Sequence, residues 1–345
     1  MDLPIQILDR APTGPVLSVD GAFGAPGLNL SHWPGNTTPP DLKRDLSTGI
    51  ALAFAGLPAT ERAELSAGCT ALVNNHYDTD GVLAMFAVAR PEEALPRAEA
   101  MLAAAAAGDL FRLPSEHAFC LDLVVTHMAD PARSPLELGG LDDRARYERA
   151  TTELLEGLPK LLDGDLEPYV DLWAPELERL QQDLALLDQA ALDELVHLDL
   201  AVWSVTAGGD PGRHALFGRC DLDRQLVLST DPRGTRARLI LGTKSWFDLV
   251  SERPQPRPDL KALLGRLDEA APGWQLQDTS GASPELWFGA PGMPNYSEHA
   301  GSYLSPCPLD PLEIKAAVVD AVRATWNFSD DPEDDEDDGP WSFPT

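Results

Sequence analysis

The stretch that decides how this chain is read is ALVNNHYDTDGVLAMFAVA, residues 71–89. An apolar run stops at two asparagines, and His76, Asp78 and Asp80 then alternate with Tyr77 and Thr79. Gly81 opens a second, helix-like apolar run. In extended backbone, side chains at i, i+2 and i+4 share a face. If residues 75–80 prolong the preceding strand, these three side chains leave the carboxyl end of a sheet together. That edge is where open α/β sheets hold ligands. Imidazole plus two carboxylates suits manganese, magnesium, iron or zinc, with water or phosphate oxygens completing the shell.

Working outward, VLSV (16–19) and LNLS (28–31) read as short strands ending at Asp20 and His32, the same placement as His76. Asp20 and His32 therefore join the candidate ligands. Trp33-Pro34-Gly35-Asn36 breaks the second strand, Thr37 or Thr38 can cap, and Leu42, Leu46, Ile50 and Phe54 fall on one helical face. CTALV (69–73) is a third strand. Residues 92–107 form an alanine-rich helix closing at Gly108, and 115–129 is read as a helix. This alternation predicts an α/β layered domain with a mainly parallel sheet over 1–135. A leucine-rich helical connector (136–205) follows, in which His197 and Asp199 fall on an amphipathic helix. A smaller α+β domain (206–328) has strand-like runs HALFGR, RQLVLST and ARLILGT, then helices at DLKALLGRLDEAA and 311–326. The tail 329–345 is expected to be disordered.

The net charge of −30 includes eight acids in DDPEDDEDD (330–338), and removing them still leaves about −22. A field of that sign repels phosphate backbones, so long nucleic acid and anionic membranes are not expected partners. No apolar run approaches the ~20 residues of a membrane span. The four cysteines form no CxxC or Cys/His pattern, which fits buried thiols in a reducing cytoplasm. A calcium loop starting at His76 would need a carboxylate at its twelfth position, which is Ala87.

The segment NNHYDTDGVLAMFA resembles the first motif of the DHH phosphoesterase superfamily, HxDxDG after a strand and opening a helix. The resemblance implies that His76, Asp78 and Asp80 bind a divalent-metal pair, usually manganese, that activates water against a phosphoester. It also implies Asp109, in AAAGDLF, as the next ligand. The family's Asp-His-His triplet and GGGH motif have no counterpart; EHAGSY (298–303) is the nearest to the latter. LSHWPGNTTP, NNHYDTDG and KSWFDLV together resemble a bacterial family known only as a domain of unknown function, which implies no activity. The expected function is a metal-dependent hydrolase of a small phosphorylated molecule. The alternatives are a non-catalytic binding protein recruited through its acidic tail, or a haloacid-dehalogenase-type phosphatase with Asp78 as nucleophile. Lys244, Trp246 and Phe247 are candidates to line a groove, Asn36 and Thr37 to bind phosphate; His117 and His127 are expected to be structural.

Eight acids in nine residues cannot bury apolar area to offset the entropy of ordering. Deleting residues 329–345 is expected to leave the melting temperature and metal content unchanged. A marked fall in either, measured by calorimetry and elemental analysis, would show that the tail packs on the body.

Overall fold

A computed structural model describes residues 3–22, 24–206, 208–252, 255–277, 281–291 and 303–325. The acidic tail and most of EHAGSY lie outside them. The first half is an α/β unit. Strands β1 (Ile5–Ile7), β2 (Val16–Val19), β3 (Gly27–Leu30) and β4 (Leu72–Asn74) form a four-stranded sheet in the order β1-β4-β2-β3. Every pairing is parallel. The short strand β1 went unread in the sequence. Leu17, Val19, Leu28, Leu30 and Leu72 point into the main core, whereas Val16 and Val73 meet Ala71 in a small cluster on the other face.

The helices over the main core are α1 (Ser47–Ala55), α2 (Ala59–Leu65), α3 (Thr79–Ala89), the short α4 (Pro91–Ala94), α5 (Ala98–Leu110) and α6 (Glu116–Met128). In α3 every residue from Thr79 to Val88 is buried, as expected for a helix that is apolar all round. Helix α1 starts later than the cap at Thr37 or Thr38 predicts, because the Thr38 hydroxyl is used by Ser31, donating to its carbonyl at 2.7 Å. Helix α5 runs through Gly108 and stops only where Phe111 turns left-handed at φ 53°, so Asp109 sits in its last turn.

Helices α7 (Asp143–Leu162) and α8 (Val170–Leu187) match the helical connector, but residues 191–205 do not. They form β5 (Ala191–Leu195) and β6 (Leu200–Val205), with His197 in a single 3-10 turn and Asp199 left-handed at φ 49° between them. ALDEL is made of helix formers, yet it pairs antiparallel with β6 as an exposed edge strand; tertiary pairing overrides propensity. HALFGR shows the reverse. It is helix α9 (Arg213–Arg219), whose apolar run Ala215, Leu216 and Phe217 is buried. Strands β7 (Arg224–Asp231) and β8 (Gly234–Leu241) hold as expected around the DPRG turn. Helix α10 (Leu260–Ala270), β9 (Trp274–Gln277), β10 (Glu285–Phe288) and α11 (Pro311–Thr325) complete the described chain.

The second sheet, β5-β6-β7-β8-β10-β9, is mixed, with only β6 and β7 parallel. One face, with Leu226, Leu239 and Leu286, packs on α10 and α11. Trp203, Val227 and Ile240 instead join the main core. No helix among the described residues is long and apolar enough to cross a membrane. The four cysteines are free thiols.

His127 is buried and tied into the fold by two hydrogen bonds. Its Nδ1 lies 2.7 Å from the Leu172 carbonyl and its Nε2 2.6 Å from Arg133 Nη1. Arginine only donates, so Nε2 accepts and the ring is neutral. Burial holds its pKa below the ordinary value, and Arg133 adds to this against the Leu172 carbonyl. A histidine depressed in the folded state contributes stability present above the unfolded pKa, ~6.5, and lost as pH falls through the folded one. His127→Gln is therefore expected to flatten the fall of melting temperature from neutral pH to pH ~5. An unchanged slope would sink this assignment.

Candidate metal centre

Because β4, β2 and β3 are parallel neighbours, their carboxyl ends lie side by side. The residues that follow are His76, Asp20 and His32. The order β4-β2-β3 places Asp20 between the two histidines. It adopts the left-handed conformation at φ 61°, which turns the chain sharply off β2. Gly21 follows where a side chain has no room: a Cβ there would fall 1.9 Å from Asn75 Oδ1.

The alternation of His76, Asp78 and Asp80 does not continue the strand as expected. Strand β4 ends at Asn74, and Asp78 is the N-cap of α3, accepting from Gly81 N at 2.8 Å. Asp80 already lies in the first helical turn. Consequently the three side chains reach different sides of Asp20. His76 Nε2 stands 2.8 Å from both Asp20 Oδ2 and Asp78 Oδ2. On the other side, His32 Nε2 is 3.1 Å from Asp109 Oδ2, 3.5 Å from Asp80 Oδ2 and 3.6 Å from Asp20 Oδ1. All six candidate ligands from the sequence are thus brought together, in two groups that share Asp20: Asp20-His32-Asp80-Asp109 and Asp20-His76-Asp78.

The environment of this cluster is severe. Asp20, His32 and Asp80 are fully buried and Asp109 is 8 % exposed. Two carboxylates ~5 Å apart repel by roughly 3–4 kcal/mol at an effective dielectric of about 20. Three mutually close carboxylates would cost about 10 kcal/mol, comparable to the stability of a whole domain. The titration behaviour follows. Burial, with Asp20 adding, pushes Asp80 up to about 6, against His32 and Thr48. Burial and the charges of Asp78 and Asp80 push Asp109 well up. Burial would raise Asp20 too, but His76, His32 and the Ser47 hydroxyl hold it at about 2. His32 rises to about 9, since Asp109, Asp80 and Asp20 outweigh burial, and His76 rises well above its ordinary value because Asp78 and Asp20 do the same for it.

Whether the residues fit a cation can be tested on their unsatisfied atoms. Asp20 Oδ2, His32 Nε2 and Asp109 Oδ2 are buried, converge, and make no aligned hydrogen bond. The single Nε2 proton of His76 faces two carboxylate oxygens at 2.8 Å and aligns only with Asp78. Both imidazoles present Nε2 to the cluster and tie Nδ1 to an oxygen behind it, the Asp45 carbonyl at 2.6 Å and Asn75 Oδ1 at 2.7 Å. A nitrogen held from behind in this way fixes the ring of a metal-binding histidine. Neighbouring ligands of a six-coordinate ion lie about 3 Å apart, close to the separations here. The donor set of oxygen and imidazole fits a divalent cation. Asp80 also supports the fold directly, because its oxygens accept from Ser47 N at 2.7 Å and Thr48 N at 2.8 Å. They cap α1, whose own N-cap Leu46 offers no side chain for it.

Several neighbours were not read from the sequence. Ser47 Oγ donates to Asp20 Oδ1 at 2.9 Å. Phe247, suspected only of lining a groove, stacks on His32 with centroids 3.9 Å apart. Its neighbour Asp248 donates N–H to the His32 carbonyl at 2.7 Å, and Thr243 Oγ1 donates to the Asp109 carbonyl at 2.6 Å. Trp246 meets Trp33, which in turn contacts His76. Lys244 is engaged elsewhere, with Asp221 and Glu252. Asn36 ties to Asp248, and the Thr37 amide to Asn29, so neither shows a phosphate site. Asp78 and Asp109 open onto a cavity of about 850 Å³ that Trp33, Trp246 and Phe247 help to line.

The match of a family model to residues 4–333 covers nearly the whole sequence. The chain belongs to DUF6687, a family of unknown function. No curated protein matches it. Membership of DUF6687 agrees with the second resemblance drawn from the sequence; the DHH superfamily gains no support from the comparisons.

The sharing of Asp20 makes a stoichiometric prediction. Wild-type protein purified without chelator is expected to hold about two divalent ions per chain by elemental analysis. Asp78→Asn is expected to reduce this to about one, and Asp20→Asn to abolish it. Equal, small losses in both variants would contradict the shared-ligand arrangement.

Proposed function

We propose that this DUF6687 chain is a divalent-metal-dependent phosphoesterase-like hydrolase acting on a small phosphorylated molecule, with manganese the first candidate ion. The observation that carries this reading is the shared carboxylate of Asp20 between two ligand groups at the carboxyl edge of a parallel sheet. The DHH-like motif adds weight, since the four residues it implies, His76, Asp78, Asp80 and Asp109, all belong to those groups. The superfamily's Asp-His-His triplet has no counterpart in this sequence; His32 and Asp20, from neighbouring strands, complete the two groups.

Divalent ions, when bound, polarise a phosphoryl oxygen and lower the pKa of coordinated water to about 7. The chain's own residues do the rest. His32 and His76 are locked with Nε2 forward, Asp20 holds both groups in register, and Phe247 shields the His32 side from solvent. Hydrolysis joins the water oxygen to phosphorus and breaks the ester P–O bond, and the departing oxygen needs a proton. Asp122 lines the same cavity, anchored by the Thr79 hydroxyl at 2.5 Å. Burial and Asp78 push its pKa up to about 7 against the Thr79 hydrogen bond, so it can hold that proton near neutrality. The net charge of −30 favours a small substrate over long nucleic acid.

A haloacid-dehalogenase mechanism needs its nucleophilic aspartate at the strand end, whereas Asn75, His76 and Tyr77 separate β4 from Asp78, whose Oδ1 caps α3. The test is hydrolysis of a panel of small phosphoesters with added manganese, with and without prior chelation. Turnover is expected to require the ion and to fall at least ~100-fold in the Asp78→Asn/Asp80→Asn double variant. His76→Ala is expected to be as damaging as Asp78→Asn. A mild His76→Ala together with a beryllofluoride adduct on Asp78 would overturn the reading in favour of the aspartyl nucleophile, and metal-free, inactive protein would overturn it altogether.

A further inference from the structure

The cavity of about 850 Å³ beyond Asp78 and Asp109 is far larger than a phosphate or pyrophosphate requires, and falls at the upper end of sites that enclose a whole organic ligand. Part of its wall is aromatic. Trp33 and Trp246 meet edge to face at 5.0 Å beside His76, which Trp33 contacts at 4.6 Å. Tyr77, next to Asp78 in the chain, stacks on Tyr147 at 5.2 Å with the rings nearly parallel. Phe111 and Phe119 set their edges against His214. Flat walls of this kind select flat ligands, because stacked and edge-on ring contacts add to simple burial.

Two further observations define which substituents the ring can carry. Trp33 lines the cavity, and its indole N–H is buried with no partner among the described residues. It is a donor left unused within the fold, on a ring that contacts His76. The cavity's arginines are each paired with a carboxylate, although Arg146 Nε, like the Trp33 N–H, is buried with no partner among the described residues. Arg213 pairs with Glu285 at 2.8 Å, and Arg146 with Asp143 at 2.5 Å. Neither brings an uncompensated positive charge, and Asp122, Asp130 and Glu176 also line the wall. A second anionic group on the ligand would meet no cation to offset its desolvation.

We infer that the cavity receives the organic part of the substrate, and that this part is a flat apolar ring system bearing no second anionic group. The inference rests on the phosphoesterase reading for the position of the phosphoryl group, but the ring site itself does not depend on turnover. Pyrophosphate, polyol phosphates and bisphosphorylated compounds are thereby disfavoured.

The experiment is calorimetric titration of the manganese-loaded full-length chain with non-hydrolysable probes: naphthylphosphonate, methylphosphonate, phenylene bisphosphonate and pyrophosphate, with naphthol as the ring alone. Naphthylphosphonate is expected to bind at least tenfold tighter than each of the other anions. Tyr147→Ala, which touches none of the six candidate ligands, is expected to weaken it at least tenfold without changing manganese content. Trp246→Leu gives the same readout should Tyr147→Ala fail to fold. Equal or tighter binding of methylphosphonate, the bisphosphonate or pyrophosphate would overturn the inference while leaving the hydrolase reading intact. Conversely, a chain that takes up no metal yet binds naphthol, with loss in Tyr147→Ala, would sink the hydrolase reading and uphold the ring site. A chain that binds neither naphthol nor naphthylphosphonate refutes the ring site outright.

Discussion

One buried carboxylate organises this molecule. Asp20 sits at the end of a central strand, fully excluded from water, with a histidine on either side and further carboxylates behind each. A buried charge is tolerable only when compensated. The Ser47 hydroxyl and two imidazoles with one nitrogen aimed inward meet part of that need, while the neighbouring carboxylates add to it. The compensation is incomplete among the protein's own atoms, since three inward-facing polar atoms have no aligned partner. A site for added positive charge follows from that shortfall more directly than from any motif.

The sheet and the site are consequences of each other. Parallel strands need crossover connections, and the one from β3 to β4 carries α1 and α2. Helices α1 and α3 present their N-termini there, and α5 its last turn. Asp80 links two of them, capping α1 from within α3, so the packing of the helices and the position of a ligand are fixed by the same hydrogen bonds. Gly81 is part of the same close fit. A Cβ there would lie 2.3 Å from Asn74 Nδ2 and 3.0 Å from Asp20 Oδ2.

Much of this was legible in the sequence because it is local. Strand ends marked by Asp20, His32 and His76 announce themselves through short apolar runs broken by polar residues and glycine. The residues that gather around Asp20 could therefore be read, but not their partition. Asp78 and Asp80 look equivalent in an extended chain and become opposite once Asp78 caps a helix, a choice made by the Asp78–Gly81 hydrogen bond. Short apolar runs such as HALFGR suit a strand or a helix equally, and residues 191–195 are helix formers recruited to a sheet edge. Phe247 over His32 was invisible for a different reason. Some two hundred residues separate them, and no local pattern encodes such a pairing.

That pairing ties the completion of the centre to the order in which the chain is made. The side chains that gather around Asp20 are all present once Asp109 has been synthesised, but the ring covering His32, the amide bonded to its carbonyl and the hydroxyl holding Asp109 come from residues 243–248. Until the second sheet has formed as far as β8, the histidine face stays open to water. On a ribosome the six clustered residues therefore emerge well over a hundred residues ahead of the segment that covers them.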